Sequence, residues 1–101
     1  MMKVILKPVG LEPRQILIPN DMYILQQLVD GYVQPITLTS DMLLLCDEDG
    51  RVKGKKMNCT IMGIPFYGDI VLVGTKRGNF CDVPITIEQA KKVRLMVYET
   101  E

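Results

Sequence analysis

Basic and amide side chains gather in one short stretch near the middle of the chain. Arg51, Lys53, Lys55 and Lys56 lie within six residues of one another, and an isolated amide, Asn58, follows. Lysines and backbone N–H groups in a glycine-flanked loop can hold a phosphate group. The stretch lacks the Gly-x-x-x-x-Gly-Lys-Ser/Thr spacing of a P-loop, so it is typical either of an anion-binding loop or of a solvated basic turn.

A second basic group lies further along the chain, at Lys76 and Arg77, and a third lies in the segment from Lys91 to Arg94. Residues 1–50 hold seven acids and three bases, whereas residues 51–101 hold five acids and nine bases. If the basic segments fold close together, they form a face for an anionic small molecule, such as a nucleotide, or for nucleic acid. Zero net charge and only six aromatic residues make nucleic acid the less attractive partner. The asymmetry also suits two complementary patches that meet in a homo-oligomer.

Asn58 is the single residue that we would test first. A buried amide must satisfy its hydrogen bonds locally or with a ligand. The candidate ligand-binding residues are therefore Arg51, Lys53, Lys55, Lys56, Asn58, Lys76 and Arg77.

The residue types argue against an enzyme. The chain has no histidine, which removes the usual general base, the His-activated nucleophiles and the commonest metal ligand. Cys46, Cys59 and Cys81 are odd in number and widely spaced, which favours reduced core thiols over disulfides or a zinc site. The acidic run at 47–50 lacks the ligand spacing of an EF-hand. We therefore expect no catalytic residue, no metal and no cofactor.

The stretch Gly68–Gly74 organises the elements that must position these residues. Its four consecutive apolar residues, closed by glycines, predict a central strand buried on both faces. Further strands are predicted at 3–7, 15–18, 32–38, 42–46, 51–53 and 79–83. Pro35 places the strand at 32–38 on a sheet edge or beside a bulge, because proline cannot donate to a ladder.

Two helices complete the prediction. The first begins at Asn20 or Asp21, buries a stripe of residues 24, 25, 28 and 29, and ends with Gly31 as the C-cap glycine. The second begins at a capping box formed by Thr86 and Gln89, and it buries residues 90, 93 and 97. The segment 47–50 is predicted as a tight turn with Gly50 at positive φ. Residues 54–66 are predicted as a loop or a broken strand.

The whole chain, residues 1–101, is therefore predicted to be one compact α+β domain. It contains a small mixed, mainly antiparallel sheet of six to seven short strands with two helices. Its composition, 48% hydrophobic and 24% charged, is that of an ordinary globular protein. The longest apolar runs are far shorter than the roughly 20 residues of a membrane span. No secretory signal is recognisable, and we expect a cytoplasmic protein.

Five features together carry a family resemblance: the opening strand at 3–6, the helix end at 29–34, the turn at 47–50, the isolated Asn58 and the strand at 68–74. In this combination the chain resembles a small domain-of-unknown-function family, found mainly in phages and conjugative elements of Gram-positive bacteria. The resemblance covers nearly the whole chain and supplies no catalytic or binding residues. It implies a mobile genetic element as the source, and an accessory role in the cytoplasm of the bacterial host.

Three functional hypotheses follow. The first is a non-catalytic binding protein, expected to be homo-oligomeric, whose basic half sequesters an anionic nucleotide as a form of counter-defence. The second is a protein–protein adaptor or inhibitor that engages a host enzyme through the exposed strand at 32–38. The third is a nucleic-acid-binding accessory protein.

Overall fold

The computed structural model of the protein describes residues 1–92, which form eight strands and two helices. In chain order these are β1 (Met2–Lys7), β2 (Arg14–Ile18), α1 (Met22–Val29), β3 (Val33–Thr39), β4 (Met42–Asp47), β5 (Met57–Ile61), β6 (Ile64–Tyr67), β7 (Ile70–Lys76), β8 (Asn79–Cys81) and α2 (Ile87–Lys92). The main sheet has the order β2-β1-β7-β4-β3, with β8 also paired to β7, and β5 pairs with β6 in a separate two-stranded sheet. All pairings among these strands are antiparallel.

The predicted central strand is confirmed as β7, which is paired on both sides. Residues 70–74 are all buried, and the strand pairs with β1 and β8 along one side and with β4 along the other. A strand without a polar face can be buried only between two covering layers. The continuous apolar run of β7 therefore accounts for the central position of this strand and for a covering layer on each face of the sheet.

The two covering layers differ in kind. Helix α1 covers one face of the main sheet through Leu25 and Val29, which pack into a cluster with Val71 and Val73. The hairpin β5–β6 and helix α2 cover the other face through a second cluster that includes residues 59, 61, 66, 83 and 90. The α+β class is thus confirmed, with eight strands in two sheets rather than six to seven in one. No helix within residues 1–92 is long and apolar enough to cross a membrane.

Three local predictions between residues 50 and 66 differ from the structure. The segment 51–53 is a turn and not a return strand, and Gly50 is not at positive φ. The segment predicted as a loop or broken strand folds as the β5–β6 hairpin. Its two-residue turn places Met62 at φ 52° and Gly63 at φ 81°, the pair of positive φ angles that a type I′ turn requires.

The helix boundaries were predicted well. The Asp21 side chain accepts a hydrogen bond from the Tyr23 N–H and so forms the N-cap of α1. At the other end Asp30, and not Gly31, adopts the left-handed conformation, with φ 56°. The capping box of α2 is confirmed by reciprocal bonds between residues 86 and 89, of 2.9 and 3.0 Å. Residues 93 and 97, predicted to be on its buried stripe, lie outside the described residues.

Strand β3 forms one edge of the main sheet, as Pro35 predicts. The Tyr32 carbonyl accepts a hydrogen bond from the Glu48 N–H, so the backbone groups of residue 32 point toward β4. Because the direction of the backbone N–H and C=O groups alternates along a strand, the groups of residues 33, 35 and 37 point outward. Pro35 therefore occupies a position where no ladder hydrogen bond is lost, and the pairing shifts register between Thr37 and Thr39.

Candidate functional site

The basic loop closes on a buried carboxylate. The Asp47 side chain is 1% exposed, and its Oδ2 lies 2.9 Å from Lys53 Nζ and 2.8 Å from Lys55 Nζ. Its Oδ1 accepts a hydrogen bond of 2.9 Å from the Asp49 N–H. These interactions outweigh desolvation and lower the pKa of Asp47 from 3.8 to about 2. The predicted acidic turn is thus the anchor of the basic loop that follows it.

Lys55 also joins this loop to the end of helix α1. Its ammonium donates to the carbonyls of Val29 and Asp30, at 2.8 and 2.7 Å. A cation at a helix C-terminus satisfies carbonyls that have no partner within the helix and complements the helix dipole. Gly31 is required next to this junction for space, because a Cβ atom there would collide with the Asp47 carboxylate. The contacts of Lys55 are therefore structural, because they join the basic loop to the end of helix α1 and to Asp47.

Asn58 is buried and its polar atoms are satisfied within the chain. Its Nδ2 donates to the carbonyls of Lys7 and Gly68, each at 2.8 Å, and its Oδ1 accepts from Lys7 Nζ at 2.8 Å. Lys7 itself is fully buried, and desolvation lowers the pKa of its ammonium. Asn58 thus joins strand β5 to the ends of β1 and β6, which is the local solution that a buried amide requires.

The remaining candidate residues do not gather in one place. Lys76 and Arg77 form the exposed tip between β7 and β8, whereas Lys55 lies against Gly68, before the opposite end of β7. Strand β7 is seven residues long, so its two ends lie roughly 20 Å apart. Lys56 is exposed beside a shallow cleft that also includes Asp69. The structure therefore does not assemble one continuous basic face from these groups.

A groove lies between the edge of the main sheet and strand β6, and Arg51 stands beside it. The groove has a volume of about 300 Å³. It is lined by Gln34, Ile36, Cys46, Asp47, Glu48, Arg51, Ile64, Pro65, Phe66 and Tyr67. Strand β3 supplies one wall, strand β6 the other, and strand β4 and the loop after it close one end. The volume is at the lower limit of small-molecule sites and suits one or two apolar side chains.

Arg51 lines this groove together with a second exposed charged side chain, Glu48. The guanidinium carbon of Arg51 lies 5.9 Å from the centre of the Tyr67 ring, within the range of a cation–π contact. Arg51 forms no ion pair with any residue in the described part of the chain. The charge of Asp47 is already balanced by Lys53 and Lys55. Arg51 is thus positioned to pair with an incoming carboxylate or phosphate while an apolar group enters the groove.

Two of the three cysteines, Cys46 and Cys59, are buried thiols of low reactivity. All three cysteines are free, as predicted. Burial raises the pKa of the Cys46 thiol, and it raises that of Cys59 to about 11. A thiol with a raised pKa is a poor nucleophile because so little thiolate is present. Residues 1–92 hold no cluster of acidic or cysteine side chains that could bind a metal ion.

Sequence reasoning missed the groove and the role of Lys7. Arg51 was selected, but for a phosphate loop, and none of the β6 residues was singled out. The available signal was Met62-Gly63 between two apolar runs, since glycine in such a position predicts a hairpin that projects side chains to one side. Lys7 carried no signal, because a lysine at a strand end is normally solvated.

Fold and site together define a small α+β domain with a structural basic loop and an open, largely apolar groove beside an arginine that has no ion-pair partner within residues 1–92. The chain belongs to the family called DUF3846, a domain of unknown function, whose model matches residues 2–96. This finding confirms the resemblance to a domain-of-unknown-function family. Comparison with curated proteins and with solved structures finds no match.

Proposed function

We propose that this protein acts by non-catalytic binding, and that its groove receives a segment of a protein partner. The observation that carries the proposal is Arg51, unpaired among the described residues, beside a largely apolar groove at the sheet edge. The partner segment would place an apolar side chain between Ile36 and Ile64 and a carboxylate on Arg51. This is the adaptor or inhibitor hypothesis, with side-chain recognition in place of strand addition.

Strand addition is disfavoured at this edge by Pro35. Residues 33, 35 and 37 direct their backbone groups outward, and the middle one has no N–H group to donate. Natural proteins use proline in this way to block pairing at an exposed edge. The partner is therefore recognised by side chains in the groove, and a charge-assisted contact to Arg51 sets its orientation.

A nucleotide is the second candidate ligand, and the pairing of Arg51 with Tyr67 favours it. An arginine can hold a phosphate, and a neighbouring aromatic ring can contact a base. Lys53 and Lys55 contribute less to this version, because both are held by Asp47. Sequestration of a nucleotide signal in counter-defence would depend on this same groove.

The test selects random twelve-residue peptides from a displayed library against the immobilised full-length protein. We expect enriched peptides with an acidic residue close to a leucine, isoleucine or phenylalanine. Arg51→Glu should weaken their binding about tenfold or more, the effect of losing a charge-assisted hydrogen bond. Ile64→Asp should do the same through the opposite wall, where Ile64 is 49% exposed and so tolerates substitution.

Arg77→Glu is the matched control, because it makes the same charge change at the exposed far end of β7. Its affinity for the selected peptides should stay within about twofold of wild type. Peptides whose binding is insensitive to both groove substitutions, or a library without enrichment, would overturn the proposal. A panel of linear and cyclic nucleotides tests the second candidate. An Arg51-dependent rise in Tm, on the order of 10 °C at saturating ligand, would favour it over the peptide.

The biological setting proposed with this function is that of an accessory protein of phages or mobile elements, acting in the host cytoplasm. A binding role without catalysis suits such a protein, because one small domain can occupy the site of a larger host protein. The family match identifies the domain, and the proposed phage or mobile-element setting is inferred from the sequence resemblance.

A further inference from the structure

The two edges of the main sheet are built differently. Strand β3 is interrupted at its outward face by Pro35 and by a register shift after Thr37. Strand β2, at the opposite edge, pairs only with β1 among the described strands and has no proline or glycine within Arg14–Ile18. An unprotected edge strand is a template for pairing with another chain.

The contacts of Lys3 show which backbone groups of β2 are free to pair. The Lys3 N–H donates to Asp82, and its carbonyl accepts from Val83, so residue 3 points away from β2. By alternation, residues 2, 4 and 6 point toward β2 and bond with their register partners 18, 16 and 14. Gln15 and Leu17 therefore direct their N–H and C=O groups outward.

The prolines that flank β2 define a symmetric window. Pro13 and Pro19 each lie three residues from Ile16, one before it and one after it. In an antiparallel pairing of two copies centred on Ile16, Gln15 lies opposite Leu17 of the other copy. Each copy then supplies two outward N–H groups, which allows up to four hydrogen bonds. The prolines end the ladder on both sides because they have no N–H to donate.

Leu17 gives the same pairing an apolar component. Its side chain is 61% exposed, although it lies on a strand of the main sheet. In the symmetric register, Leu17 of one copy covers Gln15 of the other and is a diagonal neighbour of the second Leu17. Ile16, which is half-buried against the α1 layer, would face its counterpart directly.

We propose that two copies of this chain pair through β2 to form an isologous dimer with one continuous sheet. A two-fold axis through Ile16 makes the contact self-complementary, so it closes at two copies and does not propagate. The groove beside β3 lies at the other edge of each sheet and remains open. The dimer thus goes beyond the proposed binding function and would present two grooves to a partner.

The test measures mass by sedimentation equilibrium of the full chain from micromolar to millimolar concentration. We expect a reversible dimer for the wild type. Leu17→Pro removes one outward N–H from each copy, and so two of the hydrogen bonds, which should raise the dissociation constant about 30-fold. Leu17→Lys, which places charge on the edge without altering the backbone, should also shift the protein toward monomer.

Thr37→Pro is the matched control, since it removes an outward N–H from the opposite edge. It should leave the dimer unchanged.

Circular dichroism checks that each variant is folded, and amide hydrogen exchange gives a readout that needs no variant. The amides of Gln15 and Leu17 should become more protected as protein concentration rises, while that of Val33 should not. A wild type that stays monomeric, an oligomer insensitive to both Leu17 substitutions, or concentration-independent protection at 15 and 17 would overturn the proposal.

Discussion

Replacement of Asp47 by asparagine removes the charge that holds the basic loop while it keeps the shape of the side chain. The carboxylate is buried and accepts from Lys53, Lys55 and the Asp49 N–H. Its pKa is lowered from 3.8 to about 2. At about 1.4 kcal/mol per pKa unit, the charged form contributes about 2 kcal/mol to the free energy of unfolding at neutral pH.

The pH dependence follows from the direction of the shift. A carboxyl group with a lowered pKa in the folded state contributes stability that is present above its unfolded pKa, near 3.8, and is lost as the pH falls through about 2. The difference in unfolding free energy between wild type and Asp47→Asn should therefore be about 2 kcal/mol at pH 5 and about 1 kcal/mol at pH 3.

Urea denaturation at both pH values measures this difference directly, with equal m-values as the condition for comparison. Asp49→Asn is the control, because it removes an exposed charge from the same turn and should change stability by no more than about 0.5 kcal/mol. An Asp47→Asn protein as stable as wild type at pH 5, or a difference that does not narrow at pH 3, would refute the ion-pair reasoning.

Three further predictions concern the interior. Asn58→Ala removes three hydrogen bonds among buried groups, and it should lower the free energy of unfolding by about 2–4 kcal/mol in urea denaturation. Gly31→Ala should lower the free energy of unfolding by about 1–3 kcal/mol, because the new Cβ would collide with the Asp47 carboxylate. The φ angle of Gly31 is not positive, so this cost comes from the collision. Unchanged stability would show that the loop moves to make room for the Cβ. Cys59, with its pKa raised to about 11, should resist alkylation at pH 8 in the native protein while reacting readily in urea, as followed by mass spectrometry.

Elements with a strong local signal were predicted correctly. The apolar run of β7, the Asp21 cap and the Thr86–Gln89 capping box each depend on residues close in sequence, and the structure confirms all three. The β5–β6 hairpin was missed because Met62 and not asparagine or aspartate precedes Gly63, so the turn signal was weak.

The contacts of the candidate site residues could not be predicted for a different reason. Lys55 and Asn58 were predicted to bind a ligand, and in the structure both make contacts within the chain, whose partners, such as Asp30 and Gly68, follow from the packing of separate elements. The sequence does not show whether a charged side chain is solvated, binds a ligand or pairs with a buried carboxylate. Arg51 and Lys55 belong to the same basic loop, and the packing of that loop decides that Lys55 contacts Asp47 while Arg51 lies beside the groove.

The sequence by itself determined the class of the fold, the central strand and the edge position of β3. These depend on composition, on the continuous apolar run at 70–73 and on the missing N–H of Pro35, which act over a few residues. Tertiary structure alone decided which lysines are held by Asp47, that Lys76 lies far from them, and that β3 and β6 border a groove. Those outcomes depend on contacts between residues distant in sequence, whose geometry exists only after the layers have packed.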